Sequence, residues 1–272
     1  MPELPEMENY KVQLSQHILD LPITSVTVNR EKSINVEPEA FRSELLDRQV
    51  VFIERRGKHL LFHLDNGRRL LLHLMLGGLI YLGSSEDRPE RNTQIEITFG
   101  EDLILYFMGL RLGYLHILSA KEAEEALSHL GPEPLGRRMD EERFISLLQN
   151  RRGSLKTALI NQDIIAGIGN CYADEIAFAA ELLPSAKLQN FDAADFSRLY
   201  QAMRDVLIKA TEAGGYMEMP VIKGDTLTGG SNDICEVYDR GGERCSRCGD
   251  QIVKTEMSGR KVFYSPGCQH DR

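Results

Sequence analysis

Apolar residues recur at helical spacing near the start of the chain and again in its second half, while between them they gather in short runs. Tyr10, Leu14, His17 and Ile18 fall at i, i+4, i+7 and i+8, which predicts a first helix with one apolar face. Short runs at 23–28, 50–55, 59–64, 69–76, 94–99, 103–107 and 114–118 have the length and residue types of strands. Asp65-Asn66-Gly67 separates two of them with a hairpin turn signal. Gly131-Pro132-Glu133-Pro134-Leu135-Gly136 can continue neither a helix nor a central strand and marks a boundary. Beyond it the period becomes helical at 140–149, 154–161, 170–180 and 192–213, and a short cysteine-bearing module closes the chain. The expected architecture is α+β: an amino-terminal β-sandwich flanked by helices over 1–130, a helical domain over 131–234, and a β-hairpin module over 235–272.

Composition narrows the class. The 272 residues are enough for one large or two ordinary domains with a real core. The longest apolar stretch, 70–76, is interrupted by His73 and is far too short to span a membrane. No basic, apolar leader precedes the acidic start, so the expectation is a soluble cytosolic protein. Five cysteines, two of them in a Cys-x-x-Cys pair, favour metal over disulfides. The formal charge of −9 argues mildly against nucleic acid as a partner, since phosphate binders usually carry excess Lys and Arg. Over 238–272, however, seven basic residues face five acidic ones, a local excess of two.

The chain opens MPELPEMENY, with Glu3, Glu6 and Glu8 where a helix amino end favours negative charge. That electrostatic role leaves Pro2 unexplained. With Met1 trimmed, Pro2 becomes a secondary amine, and an α-amino group titrates near roughly 8, so a useful fraction is an unprotonated nucleophile. Two further clusters have both a functional and a plain reading. Arg55-Arg56-Gly57-Lys58-His59 is either a cationic site or a solvated bend. Ala166-Gly167-Ile168-Gly169-Asn170 is either an anion site at a helix amino end or a turn between packed helices.

Cys245-Ser246-Arg247-Cys248 and Ser265-Pro266-Gly267-Cys268-Gln269-His270 approach a four-thiolate zinc pattern, except that Ser265 stands where a cysteine would complete it. A serine hydroxyl ionises far less readily than a thiol and is a poor ligand for a soft metal. Cys245, Cys248 and Cys268 with His270, the same three with water, and a metal-free hairpin are the available readings. Cys171 and Cys235 read as plain buried thiols.

Taken together, these segments resemble the formamidopyrimidine-DNA glycosylase and endonuclease VIII family of base-excision repair enzymes. The likeness rests on Met1-Pro2-Glu3-Leu4-Pro5-Glu6, Arg56-Gly57-Lys58, Leu130-Gly131-Pro132-Glu133-Pro134-Leu135, Asn161-Gln162 through Asp174-Glu175, and Val237-Tyr238 through Gly259-Arg260 and Cys268-Gln269, in that order over nearly the whole chain. The resemblance implies a β-sandwich, a helix-two-turn-helix domain and a zinc-finger hairpin, with damaged DNA bound in the cleft between domains by a monomer that has no membrane association. It implies that Pro2 attacks C1′ of the damaged nucleotide, that Glu3 shuttles protons, and that Glu6 positions the sugar or a water. The resemblance further implies that Lys58 and Arg260 grip phosphates and take part in strand elimination. Asn170, Arg56, Arg152, Lys156 and Tyr238 belong to the DNA-binding set, and structural zinc is implied at the cysteine module.

Departures from the family pattern bear on specificity. The branch that excises 8-oxoguanine fills the hole left by the flipped base with methionine, arginine and phenylalanine. Leu76, Leu110 and Leu112 occupy those places here, and a shift of one position would bring Arg111 into play. Leucine fills space but donates no hydrogen bond to a base edge. The branch's Lys-His-Asp-His stretch is replaced by Arg91-Asn92-Thr93-Gln94, and no lesion-capping sequence is recognisable between 214 and 222. The rival function class is a DNA-damage or DNA-structure binding protein of the same fold without excision. Retention of Pro2, Glu3, Lys58 and Arg260 favours the enzyme.

Overall fold

Glu3 at the amino cap and Pro5 in the first turn set the start of helix α1 (Leu4–Ile18), because proline there sacrifices only an N–H that the first turn leaves unbonded. The computed structural model describes residues 1–272 and divides them into two units, Met1–Ser128 with Ala213–Gly230 and His129–Glu212 with Ser231–Arg272.

In the first unit α1 buries Leu4, Met7, Tyr10, Leu14 and Ile18. His17, expected on that face, is exposed: its Nδ1 donates to the Gln13 carbonyl at 2.8 Å, turning the ring back along the helix. Eight strands follow: β1 (Ile23–Val28), β2 (Val50–Arg56), β3 (His59–Leu64), β4 (Arg69–His73), β5 (Leu79–Gly83), β6 (Thr93–Phe99), β7 (Leu103–Met108) and β8 (Tyr114–Leu118). They form two antiparallel sheets, β1-β6-β7-β5 and β2-β3-β4-β8. Leu60, Phe62 and Leu72 of one sheet share a core with Ile95, Ile97 and Leu105 of the other, which makes the pair a sandwich.

Three elements of this unit have no counterpart in the sequence reading: β5 and the helices α2 (Pro38–Leu45) and α3 (Ala120–Leu127). The last begins with a capping box, Ser119 and Glu122, a signal present in the sequence. The run expected over 69–76 ends as a strand at His73, because Met75 (φ 50°) and Gly77 (φ 88°) turn the chain. Segment 213–230, placed by sequence with the helical domain, belongs to this unit. It lies along α1 as a strap: Asn9 Nδ2 donates to Thr228 Oγ1 at 2.8 Å, Gln13 Nε2 to Asp225 Oδ2 at 3.1 Å, and the Leu82 N–H to the Val221 carbonyl at 2.7 Å.

The second unit holds α4 (Glu141–Leu148), α5 (Leu155–Leu159), α6 (Asn170–Ala179), α7 (Ala193–Glu212) and a hairpin of β9 (Val253–Met257) and β10 (Arg260–Tyr264). Asp140 and Ser154 cap α4 and α5 through their side chains. The hairpin module is part of this unit: Phe178 of α6 shares a core with Val237, Cys245, Ile252, Phe263 and Cys268. No helix is long and apolar enough to cross a membrane.

Candidate active site

The amino terminus is built into the first unit. Pro2, Glu3 and Glu6 are buried. The Glu6 carboxylate accepts the Glu3 N–H at 2.7 Å through Oε2 and the Tyr216 N–H at 2.8 Å through Oε1. Gly215 has φ 78°, and a Cβ there would lie 2.2 Å from Glu6 Oε1, so only glycine lets the strap come this close. The Tyr216 hydroxyl donates to the Met1 carbonyl at 2.8 Å and accepts from the Met1 amino group at 3.3 Å. Glu6 therefore braces the terminus, while Tyr216 touches the residue whose removal would free Pro2.

Lys58 reaches its place through a two-residue turn. Arg56 pairs with His59 across β2 and β3, leaving Gly57 (φ 55°) and Lys58 as the turn residues; glycine at the first central position suits such a hairpin. Arg55 ties the turn to α1, its Nε donating to Glu8 Oε2 at 2.7 Å and its Nη1 to the Gly57 carbonyl at 3.2 Å. Burial pushes the Glu8 carboxyl upward, but hydrogen bonds from Lys11 and Arg55 and their charges outweigh it and hold the group below the usual range. Arg55 thus positions the turn, a role that neither reading of the cluster assigned to it. Beyond the turn, His59 and His73 pair across β3 and β4 with ring centroids 4.2 Å apart.

His73 Nδ1 accepts the Met75 N–H at 3.0 Å, a bond that requires the neutral ring. Burial, then the charge of Lys58, pushes His73 down to about 4, so it is neutral at ordinary pH. The turn it holds presents Leu76, which is 69% exposed. A Cβ on Gly109 would lie 2.0 Å from the Gly77 carbonyl oxygen, so the loop bearing Arg111 and Leu112 packs backbone to backbone on the Leu76 turn. Leu112 is 64% exposed and Arg111 is exposed as well. Leu110 departs from its expected place among the wedge residues: it is fully buried in the sandwich core, and its N–H donates to Gln94 Oε1 at 3.1 Å.

In the second unit Asn170 opens α6 after Gly167 (φ 96°) and Gly169, and its buried Oδ1 has no hydrogen-bond partner. Gln162 braces the preceding turn, accepting the Gly167 N–H at 2.9 Å and donating to the Ile168 carbonyl at 2.7 Å. Asp174 and Glu175, one turn further along α6, anchor the hairpin module. Glu175 accepts the N–H groups of Glu236, Val237 and Tyr238 at 2.8, 2.9 and 2.7 Å. Asp174 accepts the Phe263 N–H at 3.0 Å. Ser258 (φ 52°) and Gly259 (φ 73°) make the tight turn that leaves Arg260 exposed at the start of β10.

One expectation for this unit is corrected. Lys156 is 1% exposed, with Nζ donating to both Asp174 oxygens at 2.8 Å and to the Lys261 carbonyl at 2.7 Å, so its donors are spent inside the protein rather than on a DNA backbone. The Tyr238 ring packs edge-on against Phe263, centroids 5.3 Å apart, at the margin of the hairpin core. Arg152, by contrast, is exposed.

The sulfurs of Cys245, Cys248 and Cys268 lie within 4.8 Å of one another. Cys245 and Cys268 are 3.6 Å apart, close to the edge of about 3.8 Å that four ligands at about 2.3 Å from a tetrahedral zinc require. Ser265 is buried with Oγ 3.3 Å from Cys248 Sγ, so it occupies the fourth side of the cluster. His270 is not part of this group. Its backbone is tied to Glu181 and Leu183 and its residue is exposed.

The chain matches the family model described as formamidopyrimidine-DNA glycosylase N-terminal domain over residues 1–115, and that described as formamidopyrimidine-DNA glycosylase H2TH domain over 130–219. It is 33% identical over 273 residues to the formamidopyrimidine-DNA glycosylase of Pelotomaculum thermopropionicum, covering 99% of each chain. The same-named protein of Synechococcus elongatus is 35% identical over 276 residues, covering 99% of this chain and 97% of that one. Among solved structures, a Lactococcus lactis Fpg mutant in complex with Fapy-dG-containing DNA superposes with a TM-score of 0.91 at 28% identity, covering 99% of this chain and 100% of that one. The complex of Lactococcus lactis Fpg with DNA containing an abasic site gives a TM-score of 0.91 at 27% identity, with the same coverage.

Proposed function

The chain belongs to the formamidopyrimidine-DNA glycosylase family and is a base-excision-repair DNA glycosylase with AP lyase activity; from that premise we propose that Pro2, freed of Met1, is its nucleophile. The observation that carries this reading is the bracing of the terminus, where Glu6 holds the Glu3 N–H and the strap holds Glu6 through the Tyr216 N–H. A terminus serving only as a chain end has no use for such bracing.

The target base is extruded from the stack to expose C1′. The unprotonated amine of Pro2 attacks C1′, the glycosidic C–N bond breaks, and the base departs with that electron pair and takes up a proton. The amine proton is lost to solvent as Glu3 protonates the ring oxygen, and the sugar opens to an iminium at C1′. Its positive charge acidifies the C2′–H; removal of that proton expels the 3′ phosphate with its bonding pair and breaks the strand. Lys58, Arg56 and Arg260 supply cations to backbone phosphates, with Asn170 and Arg152 as further contacts. Leu76 and Leu112, exposed on adjoining loops, fill the space the base leaves.

Cys245, Cys248 and Cys268, with the Ser265 hydroxyl at the fourth side, would hold zinc. When bound, it supplies a covalent-strength crosslink between the two ends of the hairpin that presents Arg260.

Borohydride trapping on abasic-site DNA tests the assignment. A covalent adduct mapped to Pro2 is the expected result. Its absence with protein whose mass places Pro2 at the terminus would overturn the reading and leave a damage-binding protein.

A further inference from the structure

The cysteine module carries a carboxylate that none of the contacts above uses. Asp250 follows Cys248 by two residues, and its backbone is tied into the cluster: the Asp250 carbonyl accepts the Cys245 N–H at 2.7 Å, and the Cys245 carbonyl accepts the Gly249 N–H at 2.9 Å. The side chain reaches the opposite turn. A Cβ on Gly267 would lie 2.2 Å from Asp250 Oδ2 and 2.9 Å from Cys248 Sγ, so carboxylate and sulfur meet at the one residue between Ser265 and Cys268 that has no side chain. The backbone at Gly267 is outside the left-handed region, so glycine serves here for the room it leaves. Those two distances put the Asp250 oxygen no more than about 5 Å from the Cys248 sulfur, and an oxygen and a sulfur on one tetrahedral zinc stand about 3.5 Å apart, a difference within the sweep of the Asp250 side chain. Arg247, the cation nearest to it in sequence, is turned away onto the Phe178 ring and the Glu181 carboxylate.

We propose that Asp250 supplies the fourth zinc ligand, so that the module is a Cys245, Cys248, Cys268 and Asp250 site. Ser265 stands at the fourth side of the sulfur cluster, but a serine hydroxyl is a neutral and weak ligand, whereas zinc takes a carboxylate oxygen at about 2.0–2.2 Å. The hydroxyl then acts as a hydrogen-bond donor to the Cys248 sulfur, which its distance of 3.3 Å allows. An anion at 250 and the space at Gly267 together make good the thiolate missing at 265. The assignment concerns the module alone and does not depend on the Pro2 chemistry.

Zinc affinity of the full chain, read by competition with a chromophoric chelator, tests this on native protein, D250N and S265A. Asparagine keeps the size of the side chain and removes its charge, while alanine removes only the hydroxyl. D250N should bind zinc at least about tenfold more weakly than native protein, and S265A within about threefold of it. Cobalt(II) in place of zinc gives a second reading: its visible ligand-field bands should shift in D250N and superimpose on the native bands in S265A, which separates a group on the metal from one that only supports the cysteines. Thermal midpoints of the three metal-free proteins verify that the comparison is between folded molecules. The proposal is overturned if S265A loses as much affinity as D250N, which makes the hydroxyl the ligand. It is overturned equally if D250N binds zinc as native protein does, which leaves water in the fourth place, or if the D250N cobalt bands do not move. Failure of native protein to take up zinc overturns it as well. None of these readings uses DNA, so they stand apart from the trapping at Pro2.

Discussion

Gly215→Ala is the sharpest probe of how the strap holds the amino terminus. The added methyl would sit 2.2 Å from Glu6 Oε1, against about 3.4 Å for ordinary contact, so the carboxylate and strap must separate by about 1.2 Å. At that displacement the 2.8 Å bond from the Tyr216 N–H is lost, leaving a buried carboxylate short of a donor, which costs about 1.5–3 kcal/mol. Holding alanine at φ 78° adds about 1–2 kcal/mol. The sum, about 2.5–5 kcal/mol, lowers the thermal midpoint of this unit by roughly 10 °C. Gly214→Ala is the matched control: φ is 76° and its methyl would meet the Leu227 carbonyl oxygen at 2.2 Å, so strain and collision are alike, but Glu6 is untouched. Borohydride trapping measured well below both midpoints should therefore fall at least tenfold in the first variant and much less in the second. Equal losses would refute the reasoning, because they would trace to general damage of the strap rather than to the position of Glu6.

Glu3→Gln should slow base release by about 10²- to 10⁴-fold in single-turnover assays with DNA affinity retained, as expected for loss of a proton shuttle. Burial raises the Asp225 carboxyl, but bonds from Thr228, Val221 and Gln13 outweigh it and hold the group down to about 2, below its ordinary 3.8. The folded chain then binds this proton less readily than the unfolded one, so the strap's stabilisation is complete above 3.8 and drains as the pH falls toward about 2. Hydrogen exchange of 213–230 should show that release, and Asp225→Asn should remove its pH dependence while loosening the strap at all pH values. Ser265→Cys should retain zinc through a chelator challenge that strips the native protein, measured with a chromophoric indicator.

The strands were legible because their leucine- and valine-rich runs are short and bounded by turn residues, and six of the seven expected runs match observed strands within a residue at each end. What escaped was local chemistry without a strong period. Residues 79–83 lie between a glycine pair and a polar loop, and α2 and α3 span eight residues each, too short for a repeat to stand out. The strap was invisible for another reason. Its anchors are Asn9 and Gln13 on α1 and Asp225 and Thr228 on the strap itself, partners more than two hundred residues apart whose pairing no local pattern announces.

The site divides along the same line. Residues whose role depends on their own chemistry, Pro2, Glu3 and the three clustered cysteines, could be singled out from the sequence. Residues whose role depends on what surrounds them could not. Lys156 and Arg152 are both cations near the start of α5, yet burial turns one into an interior ion pair with Asp174 and leaves the other at the surface. A paired charge taken out of water is held by its partner's field, and removing either partner of such a pair costs about 3–5 kcal/mol. Lys156 is thus committed to joining α5, α6 and β10, and through β10 it bears on where Arg260 stands. Leu110 and Arg111 show the same rule inverted: adjacent in sequence, one is drawn into the sandwich core while its neighbour is left exposed.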